Sequence, residues 1–247
     1  MVSEQLHYTT NREEIFIFSN KKMSYLCGVW RFANAYKYTV MKGRLGMKKF
    51  NITISREFGC NSREITRMLA SRLGVEMYDR DLVDMAARKA GINLDEFADA
   101  DKVIDSSVEK LTRRFGYGSS SKFYSDEAIE AQSQVIRDIA NTKDSAIFFG
   151  RCADYVLREH PNTLNVFLYS SYEARIEHLK KAYSLSAVEA EHLIKRIDRQ
   201  RHNYYKYVTG VNRSDRHLKH VMLDVSKFGE EKVVDILYHI VMMEFGE

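Results

Sequence analysis

From Lys48 onward, apolar positions follow two alternating rhythms along the chain. Short β-branched and aromatic runs have the length of strands, and longer stretches with apolar residues every three or four positions have the period of helices. "FNITIS" (50–55) reads as a buried strand. "REITRMLASRL" places Ile65, Met68, Leu69 and Leu73 on one helical face, with Gly74 as its stop. "VEMYD" is a short second strand ending at Asp79. Residues 80–145 read as mainly helical, divided by the loop "GYGSSSK" at 116–122. "DSAIFFG" is a third strand ending at Gly150. "RCADYVLREH" is a helical turn or short helix closed by Pro161, and "TLNVFLYS" is a fourth strand. Two helices follow, "SYEARIEHLKKAYSL" and "SAVEAEHLIKRIDRQRHNYYKY"; Ser186 with Glu189 predicts a capping box for the second. "HVMLDVS" is a fifth strand and "GEEKVVDILYHIVMMEF" the last helix. Strands alternating with helices predict an α/β fold: a mostly parallel, doubly wound five-stranded sheet flanked by helices.

Residues 1–46 lack this order. Their aromatics, among them Phe16, Phe18, Tyr25, Trp30 and Phe32, have no clean period, and "EEIFIFS" and "YLCGVWRFANAY" are only a candidate strand and a candidate short helix. Met47 stands just ahead of the first strand, and Lys42-Gly43-Arg44 can be encoded by a purine-rich stretch resembling a ribosome-binding site. The expectation is a poorly structured extension upstream of a true start at Met47. A genuine partner-binding extension is the alternative, and a native protein whose N-terminal peptide includes residues before 47 would decide for it.

Composition narrows the classes. In 247 residues, 45% are hydrophobic and 29% charged, an ordinary globular balance and too rich in apolar groups for a disordered chain. One proline fits long, uninterrupted elements. The net charge of +4 is local: residues 195–220 hold eight Lys/Arg against two Asp, or +6, leaving −2 for the remainder. A local basic patch suits a small polyanionic ligand or a nucleic acid, while the chain as a whole does not read as a general polyanion binder. Cys27, Cys60 and Cys152 form neither a zinc spacing nor an even disulfide set, so a reducing, cytoplasmic setting is the default. No run is long and apolar enough for a membrane span, and the N-terminus has no signal pattern. His217 and His220, without nearby carboxylates, read as a solvated face.

The candidate chemistry begins where the first strand ends. In a doubly wound sheet, ligands sit beyond the carboxyl ends of the strands. The helix after residues 56–62 offers unpaired amides and the positive end of its dipole to an anion. A GxxxxGK[ST] loop would carry a lysine there, and this chain has none. Gly59 supplies turning freedom. Asn61 falls where a second glycine is expected and tolerates the left-handed region. Ser62 then takes the lysine position and Arg63 the Ser/Thr position; with a loop one residue longer, Arg63 replaces the lysine itself. Arg56 and Arg63 are the available cations, and Ser62 is the hydroxyl nearest a Mg²⁺-bound water. On the bland reading, Asn61 or Ser62 is only a helix N-cap.

Five blocks in order, "ITISREFGCNSREITRMLASRLGVEMYDRDLV", "FFGRCADYVL", "NVFLYSSYEARIEHLKK", "LIKRIDRQRHNYYKYVTG" and "LDVSKFGEEKVVDIL", resemble the cytidylate kinase-like family of P-loop proteins from about residue 48 to the C-terminus. The family loop usually reads SREFGSGGREI, also without the lysine, so Asn61-Ser62 in place of the paired glycines is this chain's own departure. The resemblance implies a P-loop NTPase-type domain over 47–247. It also implies a helical monophosphate-binding insertion at 80–145 and an arginine-rich lid at 195–213.

By the same resemblance, Arg56, Gly59, Cys60, Asn61, Ser62, Arg63 and Glu64 hold ATP, with Ser62 toward Mg²⁺. Asp79, Gly150, Arg151, Asp154 and Arg175 serve the acceptor, Arg151 through its phosphate. Where the family has an Asp after that arginine, this chain has Cys152, with Asp154 two further on. Arg175 can equally be a helix-face cation paired with Glu173 or Glu177, and Arg151 a surface residue after a strand end. In "KRIDRQR", Arg196 and Arg199 (i, i+3) project together and Arg201 points aside; with Arg63 they are the expected catalytic cations, and Asp198 would orient one of them. A solvated basic helix is the plainer alternative. Tyr204, Tyr205 and Tyr207 are read as packing residues in preference to a base-stacking platform.

The function these residues imply is ATP-dependent phosphorylation of a nucleoside monophosphate, CMP or dCMP, with Mg²⁺. The rival is a nucleotide- or phosphate-binding module on a degenerate kinase fold. A nucleic-acid-modifying kinase ranks third, and it predicts oligonucleotide binding that weakens steeply with salt.

Overall fold

The computed structural model describes residues 47–79 and 126–246, all within one unit of the chain, Met47–Glu247. The expectations for residues 1–46 and for most of the 80–145 insertion lie outside the described residues. A five-stranded sheet has the order β2-β3-β1-β4-β5. Its strands are β1 (Phe50–Arg56), β2 (Glu76–Tyr78), β3 (Ser145–Phe149), β4 (Thr163–Tyr169) and β5 (Val221–Asp224). Every pairing is parallel, as the alternation of elements requires; β1 pairs Ile52 with Ile147 on one side and with Leu164 on the other. The helices are α1 (Ser62–Leu73), α2 (Asp126–Thr142), α3 (Ala153–Val156), α4 (Tyr172–Tyr183), α5 (Ala187–Thr209), α6 (Val225–Phe228) and α7 (Glu230–Phe245).

Local chemistry sets the helix limits. Gly74 closes α1 in the left-handed region (φ 66°), and the amides of Gly74 and Val75 satisfy the Ser71 and Ala70 carbonyls. The capping box on α5 forms as expected: the Ser186 hydroxyl accepts from the Glu189 amide at 3.3 Å, and the Glu189 carboxylate accepts from the Ser186 amide at 2.8 Å.

β1 is buried along its length, yet its two faces differ. Phe50, Ile52 and Ile54 join a core with Ile65 and Leu69 of α1 and Val233, Leu237 and Val241 of α7. The other face carries Asn51, Thr53 and Ser55, all buried: Asn51 Nδ2 meets His160 (3.3 Å), and the Thr53 and Ser55 hydroxyls donate to Asn165 (2.7 Å) and Asp154 (3.3 Å). Buried polar groups are tolerated when such partners exist. This row leads along the sheet to the carboxyl end, where the site lies.

Candidate functional site

β1 ends at Arg56, and the chain turns through Glu57–Asn61 into α1. Gly59 has φ 90°, and a Cβ added there would meet the Arg175 Cβ at 3.1 Å, so this position combines a glycine-only backbone with no room. Asn61 takes the left-handed conformation expected of it (φ 49°, ψ 24°). It is the N-cap by position, but its side chain makes no cap bond; Nδ2 donates to the Glu230 carboxylate at 2.8 Å. The amides of Glu64 and Ile65 close on the Asn61 carbonyl. Ser62 opens α1 beside a cleft of about 230 Å³.

The cleft collects guanidinium groups. Arg56, Arg63, Arg67 and Arg201 line it, with Glu57 and Glu64 as the acidic members and Phe149 and His178 on its walls. The Arg56 Cζ lies over the Phe149 ring, 3.9 Å from its centroid, a cation–π contact. Gly150 (φ 79°) makes this approach possible, since an added Cβ would lie 2.1 Å from Arg56 Nη1. Arg63 forms an ion pair with Asp79 at 2.6 Å, joining a residue expected at ATP to one expected at the acceptor. A second, more open cleft of about 530 Å³ shares Gly59, Asn61 and His178 with the first and adds Phe228, Val225 and Ser226.

The lid arginines divide. Arg201 is 7% exposed, lines the cleft and sits over the Phe58 ring at 5.3 Å. Arg196 and Arg199 are exposed and do not line it. The helical spacing separates them correctly, but it is the odd one of the three that meets the Glu57–Asn61 turn. The α5 stripe of Ile194, Ile197, Arg201, Tyr204 and Tyr205 carries Arg201 inward, a signal legible in the sequence and missed.

Among the described residues, Asp198 accepts from the Phe58 amide (3.0 Å), Arg175 Nη1 (2.7 Å) and Arg213 Nη2 (3.1 Å), the last of these within 195–213. Arg175 pairs with Asp198 and Glu57, not with Glu173 or Glu177, because its side chain is buried under the loop instead of lying on the helix surface.

Past the end of β3, Gly150, Arg151 and Cys152 run consecutively through positive φ (79°, 61° and 56°). For the two non-glycines this is a strained conformation, held by α3 and by the Gln132 amide on the Arg151 carbonyl. Asp154 is 4% exposed and enclosed: its Oδ2 accepts from Ser55 Oγ (3.3 Å), the Tyr205 hydroxyl (3.1 Å) and the Lys219 ammonium. Lys219, which nothing in the basic run singled out, is thus the buried counter-ion of Asp154. Burial pushes the Tyr205 hydroxyl well up, and the Asp154 charge adds to it. Burial also raises the Cys152 and Cys60 thiols, so both stay protonated. Tyr204 and Tyr205 pack as expected, while Tyr207, His217 and His220 are exposed.

No group of His, Cys, Asp and Glu among the described residues is arranged to cage a metal. Mg²⁺ that is held mostly by phosphate oxygens and water needs no such cage. The Ser62 hydroxyl at the cleft wall fits that role.

A family model described as cytidylate kinase-like matches residues 51–227. The chain belongs to the cytidylate kinase-like family. A cytidylate kinase from Methanopyrus kandleri is 24% identical over 190 residues, covering 75% of this chain and 90% of its own length. Among solved structures, an uncharacterized protein from Eubacterium ventriosum shares the fold, with a TM-score of 0.59 and 18% identity over 78% of this chain and 98% of that one. A shikimate kinase from Bacteroides thetaiotaomicron aligns with a TM-score of 0.44 and 13% identity over 78% of this chain and 98% of its own. Family membership supports phosphotransfer to a nucleotide, and no helix among the described residues is long and apolar enough to cross a membrane.

Proposed function

We propose that this protein transfers the γ-phosphoryl group of ATP to a nucleoside monophosphate, CMP or dCMP, yielding ADP and the nucleoside diphosphate. The observation that carries the reading is the convergence of Arg56, Arg63 and Arg201 on the amide-rich turn Gly59–Arg63, past the end of the central strand. Phosphoryl transfer asks for positioning and for positive charge around the moving group, with little covalent help. The turn and the first turn of α1 supply fixed dipoles, and the guanidinium forks add charge-assisted bonds. The open second cleft, with its Phe228 wall, suits the donor base. Arg151 is assigned to the acceptor phosphate, whose oxygen is already a nucleophile, so no general base is needed. Mg²⁺ would neutralise charge on the β- and γ-phosphates, next to Ser62. Asp154, paired with Lys219, supports the acceptor wall.

A binding module is the second reading. The Arg63–Asp79 ion pair and the Asn61–Glu230 bond favour it, since both engage groups that phosphates would use. Full-length protein with ATP, Mg²⁺ and a panel of monophosphates separates the two. Diphosphate formation that depends on CMP or dCMP supports the kinase. ATP binding with no diphosphate from any acceptor supports the module.

A further inference from the structure

Arg175 and Asp198 stand outside the cleft, yet both bind the backbone of the loop that forms it. Asp198 Oδ1 accepts the Phe58 amide at 3.0 Å, and Arg175 Nη1 donates to the Phe58 carbonyl at 3.3 Å. Both polar groups of one residue are therefore gripped by a pair that is itself joined at 2.7 Å. Arg175 Nε lies 3.5 Å from Glu57 Oε2, which also accepts the Ser170 amide at 3.3 Å. Arg213 closes the remaining side of Asp198 at 3.1 Å. Two cations and two carboxylates balance, and the cluster is largely shielded from solvent, where such bonds are screened least.

We infer that Arg175 and Asp198 are positioning residues that fix the phosphate loop against Arg201. This rests on the reading of the cleft as the phosphate site. Asp198 and Arg201 lie one turn apart on α5. The first holds the Phe58 backbone while the second covers the Phe58 ring. Phe58 leads directly into Gly59, whose backbone packs on Arg175. The clip thus sets the distance between the turn amides and the one lid arginine that reaches them. It also anchors α5 at residue 198 and the following segment at 213, so a closing movement cannot swing 195–213 as one free flap.

Two measurements on the full chain test this. In the protein without nucleotide, Asp198→Ala should speed exchange of the Phe58 amide by about tenfold or more while β1 and α1 keep their protection. Arg175→Lys, which keeps charge but loses the fork, should do the same to a smaller extent. Unchanged exchange at Phe58 overturns the clip. In the kinase assay, Asp198→Asn should lower kcat on the order of 100-fold with little change in the KM for the monophosphate. Combined with Arg201→Met, it should add almost nothing to the loss from Arg201→Met alone. Losses that multiply in the double variant overturn the coupling to Arg201. If the wild type makes no diphosphate from any monophosphate, the kinase reading falls, and the exchange experiment still decides the clip.

Discussion

Lys219→Met tests how much the packing around α3 depends on one enclosed charge. The ammonium is fully enclosed against Asp154, and the substitution keeps most of the side-chain length. Breaking a buried pair from one side costs about 3–5 kcal/mol, because the other charge is stranded. Here Asp154 keeps the Ser55 and Tyr205 hydroxyls, which offset part of that loss. Urea unfolding of wild type and variant at pH 7 should therefore give a deficit of about 3–4 kcal/mol. The corresponding Tm loss is roughly 6–16 °C. Asp154→Asn together with Lys219→Met should recover most of the stability, since replacing both members removes the stranded charge. A deficit below about 1 kcal/mol, or a double variant no more stable than Lys219→Met alone, refutes the reasoning.

Gly59→Ala places a Cβ against Arg175 at φ 90°. It should cost about 1–3 kcal/mol in urea unfolding and abolish Mg·ATP binding in calorimetry. Gly150→Ala drives Arg56 off the Phe149 ring; the ATP affinity should fall about 10–100-fold, with a stability loss of only about 1–2 kcal/mol. Burial pushes the His178 ring below the ordinary imidazole range, against a smaller opposing pull from Glu230. Its unfolded form binds the proton more readily, so this group removes stability as pH falls below the ordinary value of 6.5. Phosphates entering the adjoining cleft favour the charged ring. Mg·ATP binding near pH 6.5 should therefore take up a fraction of a proton, read as a dependence of the calorimetric heat on buffer ionisation enthalpy, and proton release would contradict it.

The sheet was legible because each strand announces itself locally. "FNITIS", "AIFF" and "LNVFLY" are short apolar runs between helical periods, and alternation with helices leaves few topologies besides a parallel sheet. The left-handed Asn61, the Gly74 stop and the Ser186 box were legible for the same reason, since each is decided within a few residues. What the sequence concealed is long-range polar pairing. Phe58 and Asp198 lie 140 positions apart, and Asp154 and Lys219 lie 65 apart. No local period marks which carboxylate meets which cation. Arg175 looked like a helix-face cation because Glu173 and Glu177 flank it two positions away on either side, yet the packing of α4 under the loop buries it. Arg201 falls between, because its place in the apolar stripe of α5 was readable and only its neighbour in space was not.

The account depends on main-chain amides and guanidinium groups gripping a triphosphate where the lysine of a GxxxxGK[ST] loop is missing. Calorimetric titration of the full chain with ATP in magnesium buffer, repeated with Arg201→Met, measures this directly. Saturable one-to-one binding by the wild type, weakened about 10–100-fold in the variant, is the expected result. Wild-type protein that takes up no ATP at millimolar concentration, or an Arg201→Met variant that binds it equally well, would contradict the account.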